Sequence, residues 1–153
     1  MNEVDYETFK KEQIWLRALI DLSVNSKSDQ VSLNSIAERN SISPQYLEHV
    51  FAGLRRAGIV KSIKGPQGGY LLNHAPEDIT VADILEALEG DYRMEEEEVA
   101  DNCKCKGIAV SVQKLLIDEA NSRMDELLTG LTLADLEKDY VEGKKYNQEM
   151  YYI

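Results

Sequence analysis

Apolar residues recur at helical spacing over most of the chain, and several of these stretches begin at a residue that favours a helix N-cap. Ser32, Thr80 and Thr132 each precede such a stretch. The pattern predicts helices over Thr8 to Asn25, Leu33 to Arg39, Ser43 to Ala57, Val81 to Glu89, Ile108 to Leu128 and, as a short final helix, Thr132 to Val141. The sequence therefore predicts a mainly α protein.

The third of these helices has two chemically different faces. Ser43 is a favoured N-cap, and Pro44 takes the first helical position, where its missing N–H costs nothing. The apolar face comprises Leu47, Val50, Phe51 and Leu54. The remaining surface carries side chains that can meet the base edges of DNA, namely Gln45, Tyr46, Glu48, His49 and Arg55. Gly58 is placed to end the helix as a left-handed cap.

Two short β-type runs follow this helix, Ile59 to Ile63 and Tyr70 to Asn73. They are joined by residues 64–69, KGPQGG, in which glycines remove side chains and Lys64 supplies a positive charge. Such a hairpin is suited to lie close to another backbone, and a phosphate group is the expected ligand. It is not a nucleotide-binding loop, because it lacks a GK[ST] ending and does not open a helix.

Helix, short turn, helix and glycine-bearing hairpin, in this order, predict a winged helix-turn-helix domain over residues 1–90. An acidic, cysteine-bearing loop over residues 91–107 follows and contains the carboxylates Glu95 to Glu98. The stretch 108–142 holds a C-terminal helix and the longest periodic segment, whose apolar stripe lacks local cover and predicts a long dimerisation helix. Residues 143–153 form a polar, tyrosine-rich tail.

The net charge of the whole chain argues against nucleic-acid binding, but the charges of its segments differ. The 153 residues carry a formal net charge of −11, yet the window from Lys27 to Ala75 carries +3 and the remainder −14. An asymmetry of this kind indicates a cationic binding face on an acidic body. Because a net charge of +3 is modest, binding by two copies of the chain would increase the affinity for DNA.

The chain shows no apolar run near the roughly 20 residues that span a bilayer, and its charged start lacks a signal-peptide apolar region. A cytoplasmic protein with no membrane partner is expected. The cysteines Cys103 and Cys105 are too close in sequence to link distant parts of a fold by a disulfide, so they do not indicate a secreted protein.

The stretches SPQYLEHVFAGLRRAGIVKSIKGPQGGYLLN (43–73) and ITVADILEALEG (79–90) together resemble the Rrf2 family of bacterial winged-helix regulators, over roughly Arg17 to Leu136. The resemblance implies a homodimeric, sequence-specific DNA-binding transcriptional regulator, expected to be a repressor. It would respond to a redox, iron–sulfur or cysteine-metabolism signal. The helix Ile108 to Leu128 would cross its mate, and the helix from Ser43 would enter the major groove.

The resemblance also implies DNA contacts. Ser43, Gln45 and Tyr46 match base or phosphate contacts at the helix start, and Glu48 matches a glutamate that restricts which sites are read. Lys64 stands in the minor-groove wing where the family commonly has arginine, so weaker wing discrimination is expected. The candidate DNA-binding residues are Ser43, Gln45, Tyr46, Glu48, Arg55, Lys64, Gly65, Gln67 and Gly68.

Two family patterns are incomplete. The first-helix segment K-G-R-Y-x-L-R reads KEQIWLR at residues 11–17, which removes a basic phosphate contact. Iron–sulfur members resemble C-x5-C-x5-C, and the matching positions are Val99, Cys105 and Ser111, so only one ligand is present. Cys103 and Cys105 are consequently candidates for a metal or cluster site, for a thiol redox switch, or for no function.

Two further hypotheses concern partners and chemistry. The tail resembles that of the cysteine-metabolism branch, whose repressor pairs with cysteine synthase, and Tyr151, Tyr152 and Ile153 are candidates for capture by that enzyme. The alternative function is therefore a protein-interaction module of winged fold acting through its tail. No nucleophile–base or paired-carboxylate arrangement indicates an enzyme.

Overall fold

The computed structural model describes the backbone of residues 4–151 and the side chains of residues 10–150. Helices α1 (Val4–Asn25), α2 (Leu33–Asn40) and α3 (Pro44–Arg56) come first, followed by strands β1 (Val60–Ile63) and β2 (Gly69–Leu72). After a short 3-10 turn at Pro76–Asp78 come α4 (Val81–Glu89), α5 (Lys106–Val112), α6 (Asp118–Gly130) and α7 (Leu133–Tyr151). The predicted mainly α, winged helix-turn-helix architecture is confirmed.

The helix starts are set by side-chain caps that the sequence predicts. The Ser32 hydroxyl accepts a hydrogen bond from the Ser35 N–H, and the Ser43 hydroxyl accepts one from the Tyr46 N–H. Thr80 pairs reciprocally with Asp83, as Thr132 does with Asp135. These bonds satisfy N–H groups that have no partner inside a helix, so each helix begins sharply.

The wing is an antiparallel hairpin in which Val60 lies opposite Leu72 and Ile63 lies opposite Gly69. A third segment joins it, because the backbone of Val31 exchanges hydrogen bonds of 3.0 and 2.8 Å with Tyr70. A Cβ at Gly69 would lie 2.5 Å from the Val31 carbonyl oxygen, so only glycine allows this approach. The Tyr70 ring meets Phe51 edge-on at 5.0 Å. These contacts fix the wing against α3.

One hydrophobic core joins the helix-turn-helix to both ends of the chain. Its fully buried side chains come from α1, α2, α3, β1, α4, α7 and the segment before α4: Leu19, Leu22, Ile36, Leu47, Phe51, Leu54, Val60, Ile79, Ile84 and Leu133. Leu133 reaches this core because the Leu133 N–H donates to the Ile79 carbonyl at 2.8 Å. The start of α7 thus packs in the same core as the helix-turn-helix.

Three helices differ from the sequence prediction. The first begins at Val4 rather than at Thr8. The long helix is confirmed as a continuous helical segment over residues 106–130, but five of its residues, Gln113–Ile117, form a π-helical turn. The last helix was predicted to be short, ending at Val141, and this was wrong, because α7 continues to Tyr151. The polar residues after Val141 lack an apolar stripe, but they contain good helix formers such as Lys144, Lys145 and Glu149.

The helical segment 106–130 leaves a row of apolar side chains in solvent. Ile108 is 71% exposed, Leu115 75% and Leu127 61%, and Val112 and Leu116 are exposed beside them. Within the described residues, no helix has the length and apolar character needed to cross a bilayer.

Candidate nucleic-acid interface

The start of α3 presents hydrogen-bonding groups held in place by the helix cap. The Ser43 hydroxyl donates to the Gln45 side-chain oxygen at 3.0 Å while it accepts from the Tyr46 N–H. This leaves the amide N–H groups of Gln45 without a partner among the described residues, and they can donate to an acceptor on a base. Gln45, Glu48 and Arg55 are exposed on α3, whose Leu47 and Phe51 side chains are buried.

Tyr46 differs from its exposed neighbours because it is half-buried. Its hydroxyl accepts a hydrogen bond of 3.0 Å from the indole N–H of Trp15, which is itself only 5% exposed. The sequence gives no sign of this bond, since the two residues are 31 positions apart. The Tyr46 side chain is thus packed against the core.

The wing tip exposes Lys64, Gly65 and Gln67. The Gly68 N–H donates to the Gly65 carbonyl at 2.9 Å, and the Gln67 carbonyl accepts from the side-chain amide of Gln30 at 2.6 Å. Gly65 has a φ of 124°, which favours glycine, and a Cβ on Gly68 would meet the Ile63 carbonyl at 2.7 Å. The turn itself therefore requires both glycines, and the tip is held rigidly.

Some of the basic residues between Lys27 and Ala75 are already paired with carboxylates of the same chain. Arg39 pairs with Asp21 at 2.6 Å, which raises the pKa of the guanidinium, and Lys27 pairs with Glu137 at 2.6 Å. The other cations of the window are exposed and have no ion pair within the described part of the chain: Arg55, Arg56, Lys61 and Lys64. Two of these follow one another at the end of α3, and two lie on the wing.

A cavity of about 260 Å³ lies between α1, α3 and α4, on the flank of α3. Polar side chains line much of it: Lys11, Trp15, Tyr46, His49, Arg56 and Glu89. The sequence places Tyr46 and His49 on the helix surface that can meet base edges, but it assigns none of the other lining residues to DNA binding. The sequence does contain one indication of this grouping. His49 follows Tyr46 by three positions and Arg56 follows His49 by seven, and this spacing places the three side chains along one side of a helix.

The loop after α4 is bound to α6 by polar contacts. The Tyr92 hydroxyl donates to Asp125 at 2.6 Å, which raises the pKa of Tyr92 to about 12. Arg93 pairs with the same carboxylate at 2.7 Å, and the two partners hold the pKa of Asp125 below its usual range. Asn121 exchanges two hydrogen bonds of 2.9 Å with the backbone of Met94. The end of α4 is thereby coupled to the long helical segment.

The cysteine pair lies in the loop that leads into α5. Cys103 and Cys105 form a disulfide with their Cα atoms 5.2 Å apart. Among the described residues, no group of three or more histidine, cysteine, aspartate or glutamate side chains is arranged to hold a metal ion. The donor set around this pair therefore does not fit the iron–sulfur centre that the sequence resemblance implies, because a cluster needs about four thiolate or imidazole ligands.

The candidate partner-binding residues fall at the edge of the structure. Only the backbone of Tyr151, the last residue of α7, is described, and Tyr152 and Ile153 lie outside the described residues. Before them, α7 exposes Tyr146 and Met150 at 62% and 60%.

Comparisons with known proteins agree with this geometry. A family model described as Rrf2, an iron-dependent transcriptional regulator, matches residues 9–139. The chain is 38% identical over 123 residues to the protein rrf2 of Nitratidesulfovibrio vulgaris, covering 80% of this chain and 81% of that one.

Two solved structures have the same fold and substantial sequence identity. CymR, the global cysteine regulator of B. subtilis, is 35% identical with a TM-score of 0.69, covering 84% of this chain and 93% of its own. IscR of T. potens is 39% identical with a TM-score of 0.65, covering 87% of each chain. With its capped reading helix, its wing and these similarities, the chain belongs to the Rrf2 family and is a DNA-binding transcriptional regulator.

Proposed function

We propose that the chain works as a homodimer that binds two DNA half-sites and represses transcription by occupying them. The observation that carries the proposal is the exposed apolar row on the helical segment 106–130, with Ile108, Leu115 and Leu127 each more than half exposed. A surface of this kind is unfavourable in water and is typical of a protein–protein interface. A second copy is the occupant that matches the two-fold symmetry of paired half-sites.

Each protomer would read one half-site. Ser43, Gln45, Tyr46 and Glu48, at the start of α3, and Arg55, near its end, would face the major groove. The wing would approach the minor groove with Lys64, Gly65, Gln67 and Gly68. A lysine has a single compact charge and is more strongly hydrated than arginine, so narrow minor grooves would be discriminated weakly. The proposal assigns no catalytic activity to the chain.

The signal that fits the side chains best is a thiol redox change. Cys105 directly precedes α5, and the Cys105 N–H lies 3.2 Å from the Cys103 sulfur. Reduction of the disulfide by an external dithiol would deliver two electrons and two protons and release both thiols. Freed thiols would let the start of α5 change its path, and the contacts of Asp125 would pass this change to α4.

A partner-binding role of α7 is the second candidate function. The exposed Tyr146 and Met150 side chains extend beyond the part of α7 that packs in the core, and aromatic and methionine side chains are enriched at interfaces. Cysteine synthase is the partner that the resemblance to the cysteine-metabolism branch implies. Deleting the candidate residues Tyr151, Tyr152 and Ile153, or replacing Tyr146 and Met150 by alanine, should then abolish binding to purified cysteine synthase and leave DNA binding unchanged.

DNA binding and stoichiometry can be tested together. Sites would be selected from random-sequence DNA, and affinity would be measured by fluorescence anisotropy at several salt concentrations with the disulfide oxidised or reduced. We expect two chains per site and a steep loss of affinity between 50 and 200 mM salt, about a hundredfold or more if several phosphates are contacted. One chain per site, or affinity independent of salt, would contradict the proposal.

A further inference from the structure

The cavity on the flank of α3 is too small for most organic ligands but large enough for a single anionic group. Its volume of about 260 Å³ is below the roughly 300–1,000 Å³ of typical small-molecule sites. Trp15 and the apolar Val50 and Leu88 form part of its wall, and charged or hydrogen-bonding side chains form the rest.

The cavity lies next to the DNA-reading face of α3. Successive residues of a helix are rotated by about 100°, so Tyr46, His49 and Arg56 lie one step around the helix from Gln45, Glu48 and Arg55. A helix with its side chains is about 10–12 Å wide, and the major groove is about 12 Å wide. Residues on the flank of a helix inserted in the groove therefore meet the sugar–phosphate strand that forms the groove wall.

Trp15 determines which hydrogen bond Tyr46 can make with that strand. An indole N–H is only a donor, whereas a phenol both donates and accepts. Since the Tyr46 oxygen accepts from Trp15 at 3.0 Å, its own proton remains available, and no acceptor for it occurs among the described residues. The oxygens of a phosphodiester are hydrogen-bond acceptors, so the Tyr46 hydroxyl can donate its proton to a phosphate.

Charges around the cavity also favour an anion. Lys11 and Arg56 are exposed and form no ion pair in the part of the chain that the structure describes, and His49 also lines the cavity. Glu89 on α4 is the acidic member of the lining, and its carboxylate interacts with Glu12. Glu12 does not line the cavity, so the lining itself presents two cations and a phenolic donor against one carboxylate.

We propose that this cavity docks one backbone phosphate of DNA per protomer, with Lys11, Tyr46 and Arg56 as its ligands and Trp15 as a positioning residue. The proposal rests on the proposed DNA-reading function and adds contacts from α1, where the sequence KEQIWLR lacks the family's basic pattern. The phosphate is taken to be a DNA phosphodiester rather than a free ion, since the cavity adjoins the reading face.

The test replaces one phosphodiester at a time in a selected site by an uncharged methylphosphonate. Wild-type protein should lose about tenfold in affinity at one flanking position of a half-site, because a charge-assisted hydrogen bond and an ionic contact are both removed. Tyr46→Phe and Lys11→Gln should each bind normal DNA more weakly and lose most of their sensitivity at that same position. Lys10→Gln is the matched control, since Lys10 is a neighbouring exposed lysine outside the lining, and it should keep the wild-type sensitivity.

The positioning role of Trp15 needs a separate readout. Trp15→Phe should weaken DNA binding in the wild-type background but cause no further loss when Tyr46→Phe is already present. Thermal unfolding of each variant identifies any loss of fold, because Tyr46→Phe keeps the ring and removes only the hydroxyl. Equal losses from Trp15→Phe in both backgrounds would refute the positioning role.

The outcomes separate this proposal from the function on which it rests. If wild-type protein binds no DNA, the DNA-reading function itself is wrong. If it binds, but every position sensitive to methylphosphonate stays equally sensitive in Tyr46→Phe and Lys11→Gln, only the phosphate site is refuted. The single tryptophan of the chain, Trp15, gives a fluorescence signal at the site. A response of this signal to inorganic phosphate at constant ionic strength, with none to DNA, would also refute it.

Discussion

At the scale of single residues, Glu12 is the least well-satisfied side chain of the first helix. Its Oε2 atom is buried and has no hydrogen-bond partner within the described residues. Burial raises the pKa of Glu12, and the nearby carboxyl of Glu89 raises it further. A carboxyl whose pKa is raised in the folded state destabilises the fold when it ionises, so its cost is present at neutral pH and disappears as the pH falls toward its usual value.

Glu12→Gln should therefore increase the free energy of unfolding at pH 7, because the neutral amide is not penalised by burial and can donate to Glu89. The gain should shrink when the measurement is repeated at a pH near the usual pKa of a glutamate, because the raised pKa keeps more of Glu12 protonated there in the folded wild-type protein. Urea unfolding at both pH values provides the check, with Gln13→Ala as an exposed control on α1. A gain independent of pH would mean that the raised pKa is not its cause.

Gly69 shows how one missing side chain shapes the wing. Gly69→Ala should cost about 1–3 kcal/mol, because the new Cβ would lie 2.5 Å from the Val31 carbonyl oxygen, which cannot move without breaking the pairing with Tyr70. Gly143→Ala is the control, since nothing lies within 4 Å of a Cβ there, and alanine favours its helix by up to about 1 kcal/mol. Denaturant unfolding measures both, and equal effects would contradict the steric explanation.

At the scale of elements, α7 has two parts with different surroundings. Its first turns pack in the core through Leu133 and are bonded to α1, where Ser23 donates to Glu137 and Lys27 forms an ion pair with it. Burial alone would raise the pKa of Glu137, but these two partners outweigh it and hold the pKa below its usual range. The later turns expose Tyr146 and Met150, and their described side chains form no hydrogen bond or ion pair of this kind.

Leu133→Ala should destabilise the whole helix-turn-helix by about 2–5 kcal/mol, since Leu133 is fully buried in the same core as Phe51. Val141→Ala, on the exposed side of the same helix, should change the free energy of unfolding by less than about 0.5 kcal/mol. Unfolding followed by Trp15 fluorescence and by circular dichroism should give coincident transitions. A loss of helix signal that precedes the fluorescence change would mean that α7 is not part of the cooperative core.

At the scale of the whole molecule, a chain whose net charge is negative has to bind DNA, itself a polyanion, through one cationic surface. The net charge of −11 repels DNA at long range, so the proposed binding mode depends on short-range contacts of α3 and the wing. In the proposed dimer, a second set of these contacts would raise the affinity, because binding of the second half-site would be intramolecular.

Leu115→Lys should convert the protein to a monomer and reduce DNA affinity at least about a hundredfold, because Leu115 lies in the exposed apolar row and its loss removes the joint binding of two half-sites. Val141→Lys is the control, as it adds the same charge at an exposed apolar residue of α7 and should leave both properties unchanged. Light scattering after size-exclusion chromatography gives the mass, and anisotropy gives the affinity. A wild-type protein already monomeric at micromolar concentration would refute the dimer.

Several local features could be predicted from the sequence because they depend on residues close together in the chain. The Ser43 cap, the positive φ of Gly58 and the wing hairpin all follow from local backbone preferences, and each is confirmed. The family could be recognised for the same reason, since its motifs fall within these local units. The length of α7 could not, because its later turns carry no periodic apolar pattern.

The sequence by itself thus determined the order of the elements, the caps that start them and the polar face of the reading helix, because these depend on spacing along one helix or turn. Only the tertiary structure decided which polar groups remain available. It pairs Arg39 with Asp21, joins Lys27 to Glu137 and places Trp15 against the Tyr46 hydroxyl. These contacts join residues 18 to 110 positions apart. Such partners are selected by packing, and no local pattern in the chain encodes them.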